Sequence, residues 1–162
     1  MLHRVFLFGH VLSAFMYLLA HGGSAAAAYR VRRDTSTERV RALLDLSQST
    51  RVVGNVMFLS TVVCGVALGF MGHWWSARWI WVSIVILIIV LAVMGRTVAP
   101  HFRRLRDLVG PVLADGTWQR PAREPSADEL SRALASGNTV AITALAISGW
   151  AAIIWLMLFK PF

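Results

Sequence analysis

Histidines are the residues of this chain whose type and spacing could support chemistry. His3, His10 and His21 lie seven and eleven residues apart in a largely apolar stretch. At about 100° per residue both steps return close to the starting angle, so the three side chains share one helix face. His10 and His21 are then about 16 Å apart along the axis. Because neutral imidazole commonly binds haem iron and copper, His10 and His21 are predicted cofactor ligands.

A haem or copper site needs a further ligand from another helix. The other three apolar stretches contain no histidine, but Met57 and Met94 are expected at a depth similar to that of His21. Histidine with methionine can ligate haem b, and imidazole with sulfur suits copper. The candidate metal ligands are therefore His10, His21, Met57 and Met94. A homodimer could instead pair equivalent histidines across a two-fold axis.

A second interpretation gives the same residues a structural role. A neutral histidine can donate to a backbone carbonyl, or bond to Asn55, Ser60 or Thr61 of the second stretch, and so join two helices. Methionine fills packing gaps in apolar spans. On this interpretation no cofactor binds, and the chain is a non-catalytic accessory subunit of a larger membrane complex.

The motifs of several enzyme classes are missing from the sequence. There is no phosphate-binding loop, no Cys-x-x-Cys, no metalloprotease motif and no pair of carboxylates within an apolar stretch. The single cysteine, Cys64, has no partner for an intrachain disulfide. These absences favour a protein that is not an enzyme, although a membrane enzyme stays open.

Composition identifies the elements that must position these residues. Of the 162 residues, 57% are hydrophobic and 15% charged, where a soluble domain has nearer half apolar and a quarter charged. A helix needs about 20 apolar residues to cross a bilayer. Four stretches qualify, at about 5–29, 52–71, 75–95 and 139–159, and all eight acidic residues lie outside them. The predicted fold is all-α, a single four-helix transmembrane bundle spanning 1–162.

The distribution of Arg and Lys predicts how the bundle is oriented. The connections 30–51 and 96–138 contain thirteen basic residues, and the rest of the chain contains three. Basic residues favour the cytoplasmic side, so both connections are predicted there and both termini on the opposite side, in a multi-pass protein of the cell inner membrane. The net charge of +8 therefore reflects orientation in lipid and does not indicate a nucleic-acid partner. The tryptophans at 74, 75, 79 and 81 fit an interfacial aromatic belt.

The first stretch has a rival interpretation as a signal peptide. Met1–Arg4 resembles a basic n-region, Val5–Ala20 an h-region, and Ser24–Ala28 could contain an Ala-x-Ala cleavage site. The apolar stretch is long for an h-region, and Arg30, Arg32 and Arg33 follow it directly. We therefore expect an uncleaved helix.

The polar connections contain further helical patterns. Glu38–Ser49 and His101–Leu113 have apolar residues at helical spacing. The basic amphipathic pattern of His101–Leu113 suits either an anionic lipid surface or a cap on the bundle. Ser126 and Glu129 have the spacing of a capping box that starts another helix. Gly65 and Gly69 form a Gly-x-x-x-Gly, a candidate helix-packing face.

The layout resembles a group of small bacterial membrane proteins that includes the copper-resistance protein D type and the HemJ-type protoporphyrinogen oxidases. The resemblance is carried by His10 early in the first span, Gly22-Gly23, the basic stretch Tyr29–Arg33, and the third-span exit from Arg96 to Asp107. His21 stands where a tryptophan is often found in that group, and a basic residue in a later span is represented only by Arg96. The resemblance implies haem or copper handling, in membrane electron transfer or metal handling, and not the oxidase activity.

Overall fold

The part of the chain that the structure describes contains five α-helices. The computed structural model describes residues 1–33, 36–110, 117, 119, 121, 123–136 and 139–161. The helices are α1 (Leu2–Val31), α2 (Thr37–Met71), α3 (Arg78–Val109), α4 (Ala127–Ala135) and α5 (Thr139–Phe159), with a 3₁₀ turn at Trp74–Ser76. The described part of the chain contains no strand.

Within the described residues, four stretches are long and apolar enough to cross a membrane: α1, α2, α3 and Asp128–Phe159, which contains α5. Helices suit a bilayer because their backbone hydrogen bonds are satisfied within the segment. Most side chains in the apolar part of each stretch are not buried inside the protein. These exposed apolar faces are the surface that lipid would cover. The predicted all-α fold with four potential membrane spans is confirmed.

The helices differ from the predicted spans at their ends. The third span was expected from residue 75, but α3 begins at Arg78, because Trp74–Ser76 forms a turn and Ala77 has an extended backbone. α2 already begins at Thr37, which confirms the predicted helix over Glu38–Ser49. α3 continues through Pro100 to Val109, so the predicted helix from His101 is confirmed as far as that residue. Residues 111–113 lie outside the described part.

α1 and α2 form a close antiparallel pair. The buried positions of α2 include Val40, Leu44, Ser47 and Gly54, which follow the four- and three-residue steps of a heptad. Small residues line the contact: Gly54 lies 3.5 Å from the Cβ of Ala20, measured from the position that its own Cβ would take. Hydroxyl pairs add hydrogen bonds across the seam, between Ser24 and Thr50 (2.8 Å) and between Thr61 and Ser13 (2.9 Å). Small and hydroxyl residues are the usual means of bringing helices together in lipid.

A compact apolar core closes one end of the bundle, which we call the arginine-rich end because most of the arginines lie there. The core joins α1, α2, α3 and α4 through Val31, Val40, Leu44, Phe102, Leu105, Val109, Leu130, Ala133 and Leu134. The apolar face of the segment after His101 is thus buried in protein, as the bundle-cap interpretation requires. α4 starts with the predicted capping box, in which Ser126 Oγ accepts from the Glu129 amide (3.2 Å) and Glu129 accepts from the Ser126 amide (3.0 Å).

Aromatic side chains gather at the opposite end, the tryptophan-rich end. Trp74 contacts His3 near the start of α1, and its ring also lies 4.3 Å from the Lys160 ammonium after α5. Trp81 donates from its indole nitrogen to the carbonyl of Trp75 (2.9 Å). The α2–α3 hairpin and the residues near both ends of the chain therefore meet at the same end of the bundle.

A candidate cofactor cavity between two helix pairs

The bundle consists of two helix pairs with a gap between them. α1 packs along α2, and α3 packs along α5, whereas α1 touches α5 and α2 touches α3 only sparsely. The gap forms a cavity of about 770 Å³ in the arginine-rich half. This volume lies within the range of about 300–1,000 Å³ that is typical of small-molecule and cofactor sites. Its lining is mostly apolar, with polar groups contributed by Tyr17, His21, Ser24, Ser47, Thr50, Arg51, Asn55, Thr97, His101, Ser136 and Thr143.

His21 is placed in this cavity by α1. Its imidazole stacks on Tyr17, with ring centroids 6.0 Å apart. Tyr17 is itself held by Phe58 of α2 (5.5 Å) and Trp150 of α5 (5.2 Å). Gly54 of α2 faces this arrangement, and a Cβ there would be in ordinary van der Waals contact with the Tyr17 ring at 4.0 Å. The aromatic packing thus fixes one wall of the cavity and holds His21 against it.

The two candidate methionines are placed differently. Met94 of α3 lines the same cavity as His21, so an imidazole and a thioether border one space. Met57 of α2 is not among the lining residues, and its carbonyl accepts a hydrogen bond from Thr61 Oγ1 (2.9 Å). Of the four predicted ligands, His21 and Met94 are therefore brought to the cavity.

His10 lies elsewhere, in the seam between α1 and α2. Its Nδ1 donates to the carbonyl oxygen of Thr61 (2.8 Å). Gly65 faces the imidazole so closely that a Cβ there would lie 3.0 Å from Cε1. Ser13, one turn further along α1, donates to the carbonyl of Gly9 (2.7 Å) and continues the polar contact. His10 thus has the helix-joining contacts expected of a structural histidine, while its Nε2 keeps a lone pair.

Sequence reasoning did not assign two polar residues that line the cavity, His101 and Arg51. Both belong to helical extensions beyond the apolar spans, which were expected to be connections outside the bilayer. His101 directly precedes Phe102 of the apolar core. Burial, followed by the positive charges of Arg32 and Arg104, lowers the pKa of its imidazole. The available signal was the helical pattern after residue 96, which extends α3 and brings its polar side chains to the end of the cavity.

The donor set suits some cofactors better than others. Among the described residues, no group of three or more His, Cys, Asp or Glu side chains is arranged to hold a metal ion. His21 and Met94 supply one nitrogen and one sulfur, which is the ligand pair of many haem sites. A bare copper ion would ordinarily need a further soft donor or imidazole. The cavity is therefore better matched to a large, mostly apolar ligand than to a bare ion.

Comparisons with protein-family models, with curated proteins and with solved structures find no match for this chain.

Proposed function

We propose that this protein is a membrane haem protein that takes part in electron transfer, with His21 as the ligand in the cavity between the helix pairs. The observation that carries the proposal is that His21 and Met94, which were expected to be ligands from their spacing and depth, line one cavity of about 770 Å³. The apolar lining would exclude water, which favours a large apolar cofactor. Haem b is preferred to copper because Met57 does not line the cavity.

The orientation proposed with this function follows the positive charges. The arginine-rich end, with the apolar core below the cavity, lies on the cytoplasmic side, and the tryptophan-rich end lies on the outer side of the bacterial inner membrane. The cavity then sits in the cytoplasmic half of the bilayer. The layout resemblance to the copper-resistance protein D group supports haem or metal handling at this location.

An optical spectrum of the purified protein, supplemented with haemin, tests the proposal. The wild-type protein is expected to show the Soret band of bound haem, and His21→Ala is expected to abolish it by removing the iron ligand. Met94→Leu keeps the side-chain volume but removes the sulfur, so it is expected to retain haem with a shifted spectrum. His73→Ala in the exposed hairpin is the matched control and leaves the band unchanged. Binding that survives His21→Ala contradicts the proposal.

The accessory-subunit function is the second candidate, and the contacts of His10 favour it. Its imidazole is accounted for by the bond to Thr61 and the packing against Gly65, with no cofactor needed. A colourless, metal-free protein that co-purifies in constant ratio with larger membrane subunits would establish this function. A His10→Ala variant with an intact Soret band would separate the structural histidine from the ligand.

A further inference from the structure

Two arginines lie at or just beyond the arginine-rich end of the cavity. Arg51 of α2 lines the cavity, and Arg106 of α3 lies one turn beyond Phe102, which also lines it. Both side chains are half-buried, and burial, followed by the positive charge of Arg51, lowers the pKa of the Arg106 guanidinium. Two like charges brought together in a partly buried place destabilise each other unless a negative group lies between them.

Neither guanidinium is balanced by an acid in the described part of the chain. Nη2 of Arg106 is buried and has no hydrogen-bond partner there, and no ion pair with Arg51 or Arg106 is formed among those residues. Arg41 also has a buried Nη2 without a hydrogen-bond partner, but its Nε already donates to the carbonyl of Val109 (2.7 Å) at the end of α3, and Arg41 does not line the cavity. A buried donor without a partner is costly, so Arg106 is suited to receive an acceptor from a ligand.

The cavity that Arg51 lines limits the shape of a ligand that could supply this acceptor. Its walls carry mainly apolar side chains, including Leu91 and Leu145, while Arg51 is at its charged end. Because the two helix pairs touch only sparsely along their sides, a ligand with an apolar body can lie between them. Guanidinium groups match the paired oxygens of carboxylate and phosphate in geometry as well as charge.

We propose that Arg51 and Arg106 form an anion-binding end of the cavity, which holds the carboxylate or phosphate group of an amphiphile whose apolar part fills the space beside His21. Where that amphiphile is haem, with its two carboxylates, the inference rests on the proposed function. Where it is an anionic phospholipid, the inference stands without haem. Both sources present the same chemistry, namely anionic oxygens attached to an apolar body.

The test compares two double variants with the same loss of charge. R51Q/R106Q removes the proposed site, and R103Q/R104Q removes two exposed arginines of the same region. Haemin binding is measured by absorbance titration in neutral detergent. Phosphatidylglycerol binding to delipidated protein is measured by native mass spectrometry, against phosphatidylcholine. R51Q/R106Q is expected to weaken at least one probe by about tenfold or more, because it removes the charge-assisted hydrogen bonds to the anion. R103Q/R104Q is expected to change either probe less than about twofold.

The probe that weakens identifies the source of the anion. A loss confined to haemin assigns the site to the haem carboxylates, a loss confined to phosphatidylglycerol assigns it to a lipid phosphate, and a loss of both shows one shared site. Unchanged binding of both probes, or an equal loss in R103Q/R104Q, overturns the inference. If R51Q/R106Q does not purify as folded protein, R51Q alone is compared with R103Q by the same measure. Haemin binding that needs His21 but not Arg51 or Arg106 leaves the proposed function standing and removes this inference.

Discussion

His3, His10 and His21 make three different kinds of contact, although they were expected to share one helix face. His3 meets the edge of Trp74, His10 lies in the α1–α2 seam, and His21 borders the cavity. A straight helix returns to nearly the same angle after eleven residues, but a heptad seam drifts by about 20° per heptad relative to it. The seven-residue step therefore keeps His10 on the seam, while the eleven-residue step moves His21 beside it.

The His10 imidazole packs directly against Gly65, and replacing that glycine tests whether the imidazole needs the space. Gly65→Ala would place a Cβ 3.0 Å from His10 Cε1 and 3.2 Å from Nδ1, so the imidazole must move away from the Thr61 carbonyl. We expect the free energy of unfolding to fall by about 1–2 kcal/mol, as is typical of overpacking. The measurement is unfolding by SDS titration in micelles, followed by circular dichroism.

Gly22 provides the control for this substitution. It is exposed on α1, and no atom lies within 4 Å of the position that its Cβ would take. Gly22→Ala is expected to leave stability unchanged or to raise it by up to about 1 kcal/mol, because alanine favours the helix. Equal stabilities of the two variants would show that Gly65 is not needed for space.

At the scale of the elements, local sequence signals predicted where helices form better than where spans end. The capping box at Ser126 and Glu129 was correct, because both of its bonds lie within four residues and need no distant partner. The ends of α2 and α3 extend well beyond the predicted spans. These extensions are stabilised by the apolar core at the arginine-rich end, a tertiary contact that hydropathy does not reveal.

The start of α4 can be tested by removing its cap. Ser126→Ala leaves the Glu129 amide without an acceptor and is expected to lower the free energy of unfolding by about 1 kcal/mol. Hydrogen exchange at the first amides of α4 should accelerate in parallel. Ser131→Ala is the control, since the exposed Ser131 donates only to the carbonyl of Asp128 (3.0 Å) and accepts no helix-start amide. A cap that contributes nothing would give identical exchange in both variants.

At the scale of the whole molecule, the two ends of the bundle differ in chemistry. One end is rich in arginine and closed by an apolar core, and the other carries the clustered tryptophans and Lys160. The cavity lies towards the arginine-rich end and borders that core, since Phe102 belongs to both.

The orientation of these ends in the membrane can be measured by labelling single cysteines. In a Cys64→Ser background, Ser76→Cys places a thiol in the exposed hairpin, and Ser131→Cys places one on the exposed face of α4. The excess of arginines predicts that a membrane-impermeant maleimide labels the first thiol in intact cells and the second only after permeabilisation. The reverse pattern would invert the proposed topology, and the cavity would then open towards the outer leaflet.

The sequence by itself determined the properties that depend on composition and neighbouring residues. Four apolar stretches of about 20 residues are long enough to span a bilayer, and lipid leaves the backbone no better alternative than a helix. The capping box and the helical pattern of Glu38–Ser49 also depend only on residues close together in the sequence. Histidine and methionine stand out as candidate donors from the sequence alone, because few other ligating side chains lie in the apolar stretches.

Only the tertiary structure decided which of those donors lie together. His21 and Met94 border one cavity while His10 and Met57 do not, because the register of the α1–α2 pair turns His10 into the seam. The cavity itself lies between helix pairs that are distant in sequence, and Arg51 and His101 reach it only because α2 and α3 continue past their apolar spans. Helical spacing gives the angle of a side chain on its own helix, whereas packing between helices decides what that side chain faces.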